Sequence, residues 1–552
     1  MKKLIFMCLV VSLGGILSAQ TDPQWLWATS AGSAGNDISY SISRDNYGYL
    51  YVTGFFLDTA QFGGTHLTTL GSNEIFVAKL DANGNWLWAV RAGGTGDDKG
   101  MSISTDGDGN SYVTGYFSGT ADFGSTTLTS AGSADIFIAK LDPSGNWLWA
   151  KRAGGPYEDW GNIVAFDNGY CYLTGRFQGT SSFGALTVSS AGSHDIFVAR
   201  LDTNGNWFWV RSAGGTSWDE GDCVSTDAGG NCYVSGYVYG AVNLGPLTLD
   251  ANGDDAFVAK LDPDGNWLWA NCCGGSGLAG AWSVSTDDSG NSAVTGPFTG
   301  TAVFGTTTLQ CSGSYDIFIA RMDNEGNWVW ARRAGGNYVM ADYTDVGCCI
   351  SLDNNGDCYV NGYYYGAAAD FGTIVLPNGG FYNLYVTKLD IDGNWLWAIT
   401  VAGISNDSCW GFCLDGEGNG YGTGAFSGTT DFGATSLTSA GERDIWVAKL
   451  SPGGVGIDDD LAPDLSGVSS LSDAWPNPFR VGATATIKAH VAERENGILT
   501  LYNLRGQIIQ SQQLDSGPHE IVINGADLPA GIYLYQLKTP SSNSTKKLVL
   551  LK

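Results

Sequence analysis

The chain has 552 residues, 12% of them aromatic and only 15% charged, with 80 Gly, 20 Trp and a formal net charge of −28. So acidic a surface repels nucleic acid and anionic lipid, which leaves neutral glycans, proteins and metal ions as partners. Residues 20–450 carry the whole −28, because +2 before them, −5 in 451–473 and +3 in 474–552 cancel.

In chain order, MKKLIFMCLVVSLGGILSAQ places Lys2 and Lys3 before an apolar run and ends on small residues at Ala19. It reads as a secretory signal peptide over residues 1–19, too short in its apolar core for a membrane span. Cys8 lies inside the apolar run, which argues against a lipoprotein. No later stretch approaches a span, so no transmembrane segment is expected after cleavage.

From there to residue 450 one unit recurs. Its ruler is a Trp-x-Trp pair starting at Trp25, Trp86, Trp147, Trp207, Trp267, Trp328 and Trp395, with spacings of 61, 61, 60, 60, 61 and 67 residues. A period of this size marks an array or propeller. Within Met101–Ala150, SISTD and SYVTGYF flank the turn Asp106-Gly-Asp-Gly-Asn110. A longer connection with a short extra strand at TTLT leads to DIFIAKLD, the turn Asp142-Pro-Ser-Gly-Asn146 and WLWAKRAGG. Asp-x-x-Gly-Asn suits a hairpin, since Asp bonds its own backbone and Gly takes positive φ.

Four strands with two apolar faces need a neighbour on each face, and radial packing provides it. A straight solenoid would demand capping repeats. The chain enters on Trp25-Leu-Trp-Ala28, a fourth strand without its first three, and leaves the array on Asp444–Leu450, a third strand without a fourth. The expectation is an all-β fold: a seven-bladed β-propeller over 20–450, its ring closed by the N-terminal strand. Gly-, Pro-, Asp- and Ser-rich 451–473 reads as a flexible linker, and 474–552 as a small antiparallel β-sandwich.

IFVAKLDANGNWLWA at 75–89 and SISTDGDGNSYVTG at 102–115 resemble the bacterial β-propeller repeat family SBBP. The resemblance covers roughly 25–450 and implies an exported propeller, with no catalytic residue to carry over. The tail looks like the type A sorting domain of the type IX secretion system, through Pro476, Asn477, Pro478 and Phe479, through LYNLRG, through Gly531 and Tyr533, and through Lys546 and Lys547. That resemblance implies recognition by the secretion machinery and delivery through the periplasm to the cell surface or medium.

Site candidates follow from the crossovers between units. An Asp recurs there at Asp37, Asp98, Asp159, Asp219, Asp345 and Asp407, and Ala279 replaces it once. Such a ring of carboxylates would hold Ca²⁺ or sugar hydroxyls, or it would fix the turn by accepting backbone amides. Trp160, Trp218, Trp282 and Trp410 also fall in crossovers, where aromatics beside Asp suit a sugar ring or pack against the next unit. Ligand binding is expected around Trp160, Trp218 and Trp410 with Asp98, Asp159, Asp219 and Asp407. Cys223/Cys232 and Cys349/Cys358 share a nine-residue separation, a candidate spacing for cross-strand disulfides.

Only His66 and His194 occur in the repeats and no nucleophile motif appears. The reading is an exported binding protein in adhesion or in glycan or protein capture, with no assigned catalytic residue and Ca²⁺ as the one cofactor considered. The alternative is a polysaccharide-active enzyme using carboxylates on the long-loop face.

Overall fold

The computed structural model describes residues 20–21, 23–338, 345–366, 368–377, 382–403, 407–455, 470–471, 479–480, 484–492, 495–503, 505–540 and 543–551. The leader, most of the linker and Pro476, Asn477 and Pro478 lie outside these residues. Two compact units divide the chain, one over 21–454 and one holding 455–552.

The larger unit is all-β and built from one antiparallel sheet repeated. In the repeat that sets the pattern, Lys99–Thr105, Ser111–Phe117, Asp135–Leu141 and Trp147–Gly154 pair in that order. Second and third strands are near-continuous apolar runs and almost wholly buried, as expected where both faces are covered. The fourth strand is an edge over its Trp pair, with Leu148 between the two Trp 52% exposed, and pairs onward only at its end, Ala153 opposite Phe183.

The same four-strand order recurs where the two ends of the array meet in one sheet. Ser408–Leu414, Gly420–Phe426 and Asp444–Leu450 are completed by Trp25–Ala31, with Trp25 opposite Leu450 and Ala28 opposite Ala448.

Neighbouring sheets are joined by three recurring devices. Apolar cores form between sheets, one holding Val77 with Val113 and Phe137, another holding Ile445 and Val447 with Ile42 and Val52. First strands bond sideways: the Ser41 and Ser43 hydroxyls accept from the Ile103 and Thr105 amides, and Ser102 and Ser104 accept from Val164 and Phe166. These hydroxyls satisfy amides that an inner edge strand would otherwise leave unpaired. The second Trp of each pair donates its indole N–H to a turn of the following unit, as Trp88 does to Pro143 at 3.2 Å and Trp397 to Pro452 at 3.1 Å.

The expected connection with one extra strand is a hairpin of two, Thr120–Phe123 with Thr126–Thr129, and it pairs back onto the preceding unit at Ala121 opposite Gly94. Its Phe123 meets Trp147 edge-on at 5.3 Å, which explains the first Trp of the pair. Asp-x-x-Gly-Asn behaves as the sequence suggests. Asp106 accepts from the amides of Asp108 and Asn110 and from the Asn110 side chain, and Gly109 sits at φ +85.

The disulfide expectation is corrected. Cys232 lies opposite Thr226 and Cys223 opposite Ser235, because the five-residue turn fixes the register; likewise Cys349 faces Asn361. The described cysteines are free thiols.

The smaller unit is a sandwich. Ser470–Leu471, Thr484–Val491 and Gly517–Asn524 form one sheet, and Phe479–Arg480, Asn543–Leu551, Gly531–Lys538, Gly497–Asn503 and Ile508–Leu514 the other. Their common core includes Ile487, Leu501, Tyr535 and Leu548. Gly531 pairs with Leu550, Tyr533 is buried with its hydroxyl donating to the Pro529 carbonyl, and Lys546 and Lys547 lie across from Tyr535 and Leu534.

Candidate functional site

Six of the seven first strands start earlier than the sequence suggests and carry a bulge, whereas Ser283–Thr286 pairs without one. In the second unit the register shifts at Met101, and the equivalent shifts fall at Tyr40, Asn162, Asp222, Cys348 and Trp410. A bulge re-aims one side chain and is common at binding sites. Glycine opposite makes room for it: a Cβ on Gly115 would lie 1.9 Å from the Lys99 carbonyl oxygen.

The bulge position stands at the crossover end of the units and varies between them, with Trp the one residue type to recur, while the Asp-x-x-Gly-Asn turns at the other end hardly change. Neighbouring bulge positions meet or reach across: the Trp410 and Tyr40 rings are 6.0 Å apart, and Asn162 donates to Glu220 of the next unit at 2.7 Å.

The crossover aspartates occupy the same place in six units but are buried. Asp98 accepts from the amides of Gly94 at 2.8 Å and Ser118 at 3.0 Å; Asp37, Asp159, Asp219 and Asp345 likewise bridge a crossover amide to an amide at the end of the second strand. That is the geometry of turn fixing, with each carboxylate oxygen already accepting from a backbone N–H. Burial raises Asp37, Asp98 and Asp345 to about 6, against the lowering effect of those amides. Among the described residues no three His, Cys, Asp or Glu side chains are grouped to hold a metal ion.

Asp407 departs from this pattern. Its Oδ2 accepts from the Thr430 hydroxyl at 3.0 Å, whereas Oδ1 has no hydrogen-bond partner among the described residues although Asp407 is only 2% exposed. Burial lifts it to about 7, opposed by Thr430 and the nearby Ser427 amide.

The expected tryptophans separate into two groups. Trp160 opens a first strand instead of lying in a crossover, and both its faces are covered, by Tyr116 at 4.4 Å and by the Arg176 guanidinium at 3.6 Å. Trp218 is 38% exposed and covers the same guanidinium at 4.9 Å, with His194 against it at 4.1 Å. Arg176 pairs with Glu220, which also accepts from Asn162, Trp218 and Tyr237. Asp222 lies beside this set, held well above the carboxylate range by burial and by the Glu220 charge.

Trp410, by contrast, lies within the strand Ser408–Leu414 and lines a cavity of about 200 Å³ with Asp407, Ser408, Arg443, Tyr363 and Tyr382. Two units earlier the same positions build a second cavity of about 280 Å³, around Trp282, Tyr237, Asp254 and Tyr315. Arg443, Tyr363, Tyr382, Glu220 and Arg176 were not among the sequence candidates. Their signal is divergence between repeats at fixed positions of the unit.

Two family models match parts of the chain. Residues 87–120 match the family described as Beta-propeller repeat (SBBP), and residues 473–551 match the Secretion system C-terminal sorting domain. The chain is similar, at 23% identity over 69% of its length, to an uncharacterised WD repeat-containing protein of Acanthamoeba polyphaga mimivirus. It is also similar, at 28% identity over 25% of its length, to the regulatory protein FlaEY of Caulobacter vibrioides. It spans 34% and 15% of the lengths of those two relatives. Among solved structures it is similar to the WD40 β-propeller domain of Doa1, at 10% identity and a TM-score of 0.38, covering 78% of this chain and 97% of that one. The chain carries an SBBP β-propeller repeat and a type IX C-terminal sorting domain, which marks it as exported to the cell surface or secreted.

Proposed function

We propose that the larger unit is a seven-bladed propeller closed by Trp25–Ala31, and that the protein binds glycans at the crossover end of that ring after export. The pairing of Trp25–Ala31 with Asp444–Leu450 and the core joining Ile445 to Ile42 support closure. The observation that carries the functional reading is the asymmetry of repetition. Residues that hold the fold recur in unit after unit, whereas the bulge position runs Tyr40, Met101, Asn162, Asp222, Cys348 and Trp410, with Trp282 at the equivalent place in the fifth unit. A position free to differ between otherwise similar repeats is not dictated by packing.

The chemistry gathered there is aromatic with few convergent polar groups, in two concave cavities, which is how ligand sites are built. The excess negative charge disfavours polyanions, so recognition rests on rings and hydrogen bonds more than on bulk charge. The test is to pass the full chain over immobilised neutral and acidic polysaccharides. Retention by at least one supports the reading; retention by none overturns it.

A further inference from the structure

We infer that the cavity between Tyr363, Tyr382, Trp410 and Arg443 takes one sugar ring bearing a carboxylate, with Arg443 as the partner of that carboxylate. This rests on the reading that the crossover end binds glycans and deepens it.

Among the described residues, three buried polar atoms around this cavity have no hydrogen-bond partner: Asp407 Oδ1, Trp410 Nε1 and Arg443 Nε. A buried polar atom left so loses its bonds to water without replacement, and three at one cavity point to an external partner that supplies them. They offer two donors and a carboxylate, the set that a ring with both hydroxyl and anionic oxygens satisfies.

The arginine decides the class. Its Nη2 donates to the Ser408 hydroxyl at 2.7 Å, which fixes the guanidinium, and Nε is left beside it. Nε and Nη2 together form the side-on fork that matches the two oxygens of a carboxylate. Among the described residues no carboxylate lies within ion-pair distance of Arg443, unlike Arg91, Arg152 and Arg333, which pair with third-strand acids. Asp407 lines the same cavity, and burial raises its carboxyl to about 7.

Size and shape set the rest. The volume of about 200 Å³ falls below the roughly 300–1,000 Å³ of drug-sized pockets, so it holds one ring of a longer chain. Trp410 stands edge-on to Tyr363 at 5.9 Å, and Tyr363 to Tyr382 at 5.2 Å, making an aromatic wall for the apolar face of that ring.

The experiment titrates the full chain with p-nitrophenyl β-glucuronide and with p-nitrophenyl β-glucoside, which differ only at the carboxylate. The glucuronide is expected to bind at least tenfold tighter, and Arg443→Gln to erase that preference. Equal affinities on the wild-type chain, or a preference unchanged in a folded Arg443→Gln, overturn the inference and leave the broader reading standing. Binding of neither probe while a polysaccharide is still retained overturns it too. Should Arg443→Gln fail to fold, the wild-type comparison decides alone.

Discussion

The indole N–H of Trp27 donates to the carbonyl of Ala82 at 3.1 Å, across 55 residues of chain. Trp27 belongs to the fourth strand of the last unit and Ala82 to a turn of the first. The bond is the same latch that joins Trp88 to Pro143 and Trp269 to Asn324 between consecutive units. The chain start therefore holds its neighbour as every other fourth strand does.

Removing residues 20–31 is expected to strip this latch, the Trp25–Leu450 ladder and the ring contact of Trp25 with Phe432 at 5.2 Å. Urea unfolding should lose cooperativity or several kcal/mol. The milder Trp27→Phe, which deletes one hydrogen bond at a partly exposed site, should cost about 1 kcal/mol. A truncated chain that unfolds like the intact one contradicts closure.

Asp98→Asn tests turn fixing. Both carboxylate oxygens accept amides, and an Asn offers one acceptor while pressing an NH₂ against the other donor. The expected loss is roughly 1–3 kcal/mol, read from denaturant midpoints. No loss would return Asp98 to the list of groups free for a ligand.

These buried aspartates also set a pH dependence. Asp37, Asp98 and Asp345 are raised from 3.8 to about 6 and Asp407 to about 7 by burial. The folded state then binds more protons than the unfolded one between about pH 4 and 7, so stability falls as pH rises through that window. The turn residues Asp142 and Asp202 are lowered by the Asn and backbone bonds they accept, and their contribution is lost as pH falls below about 4. Maximum stability is expected near pH 4–5. A urea midpoint higher at pH 7.5 than at pH 4.5 would contradict this assignment.

The repeat was legible because Trp-x-Trp and Asp-x-x-Gly-Asn each answer a local demand, one for a wall between sheets and one for a tight turn. The Trp at 147 and 149 could be counted, although their separate roles against Phe123 and Thr203 could not. The bulge at Trp410 was hidden, since two residues opposing one is a matter of strand twist and of room over Gly424. It placed in a strand a Trp that spacing alone put in a crossover. The cysteine pairs misled for a related reason: nine residues looks like a cross-strand distance until the five-residue turn is counted. Arg443 had no motif at all, and only its difference from Asn73, Ala134 and His194 in the same place set it apart.

The sorting domain should be separable from the ring. A chain ending at Gly454 is expected to keep the near-UV spectrum of the propeller aromatics and to remain periplasmic in a host with type IX secretion, whereas the full chain reaches the surface or medium. Efficient surface delivery of the shortened chain would contradict the role given to residues 473–551.

The most direct measurement of the central claim compares the two ends of the ring. Binding of immobilised polysaccharides is measured for the full chain, for Trp282→Ala with Trp410→Ala at the crossover end, and for Ser144→Ala with Glu325→Ala on the exposed turns opposite. The expected result is a loss of at least tenfold for the crossover pair and wild-type affinity for the turn pair. Wild-type binding by a folded crossover pair, or an equal loss at both ends, would contradict a glycan site at the crossover mouth.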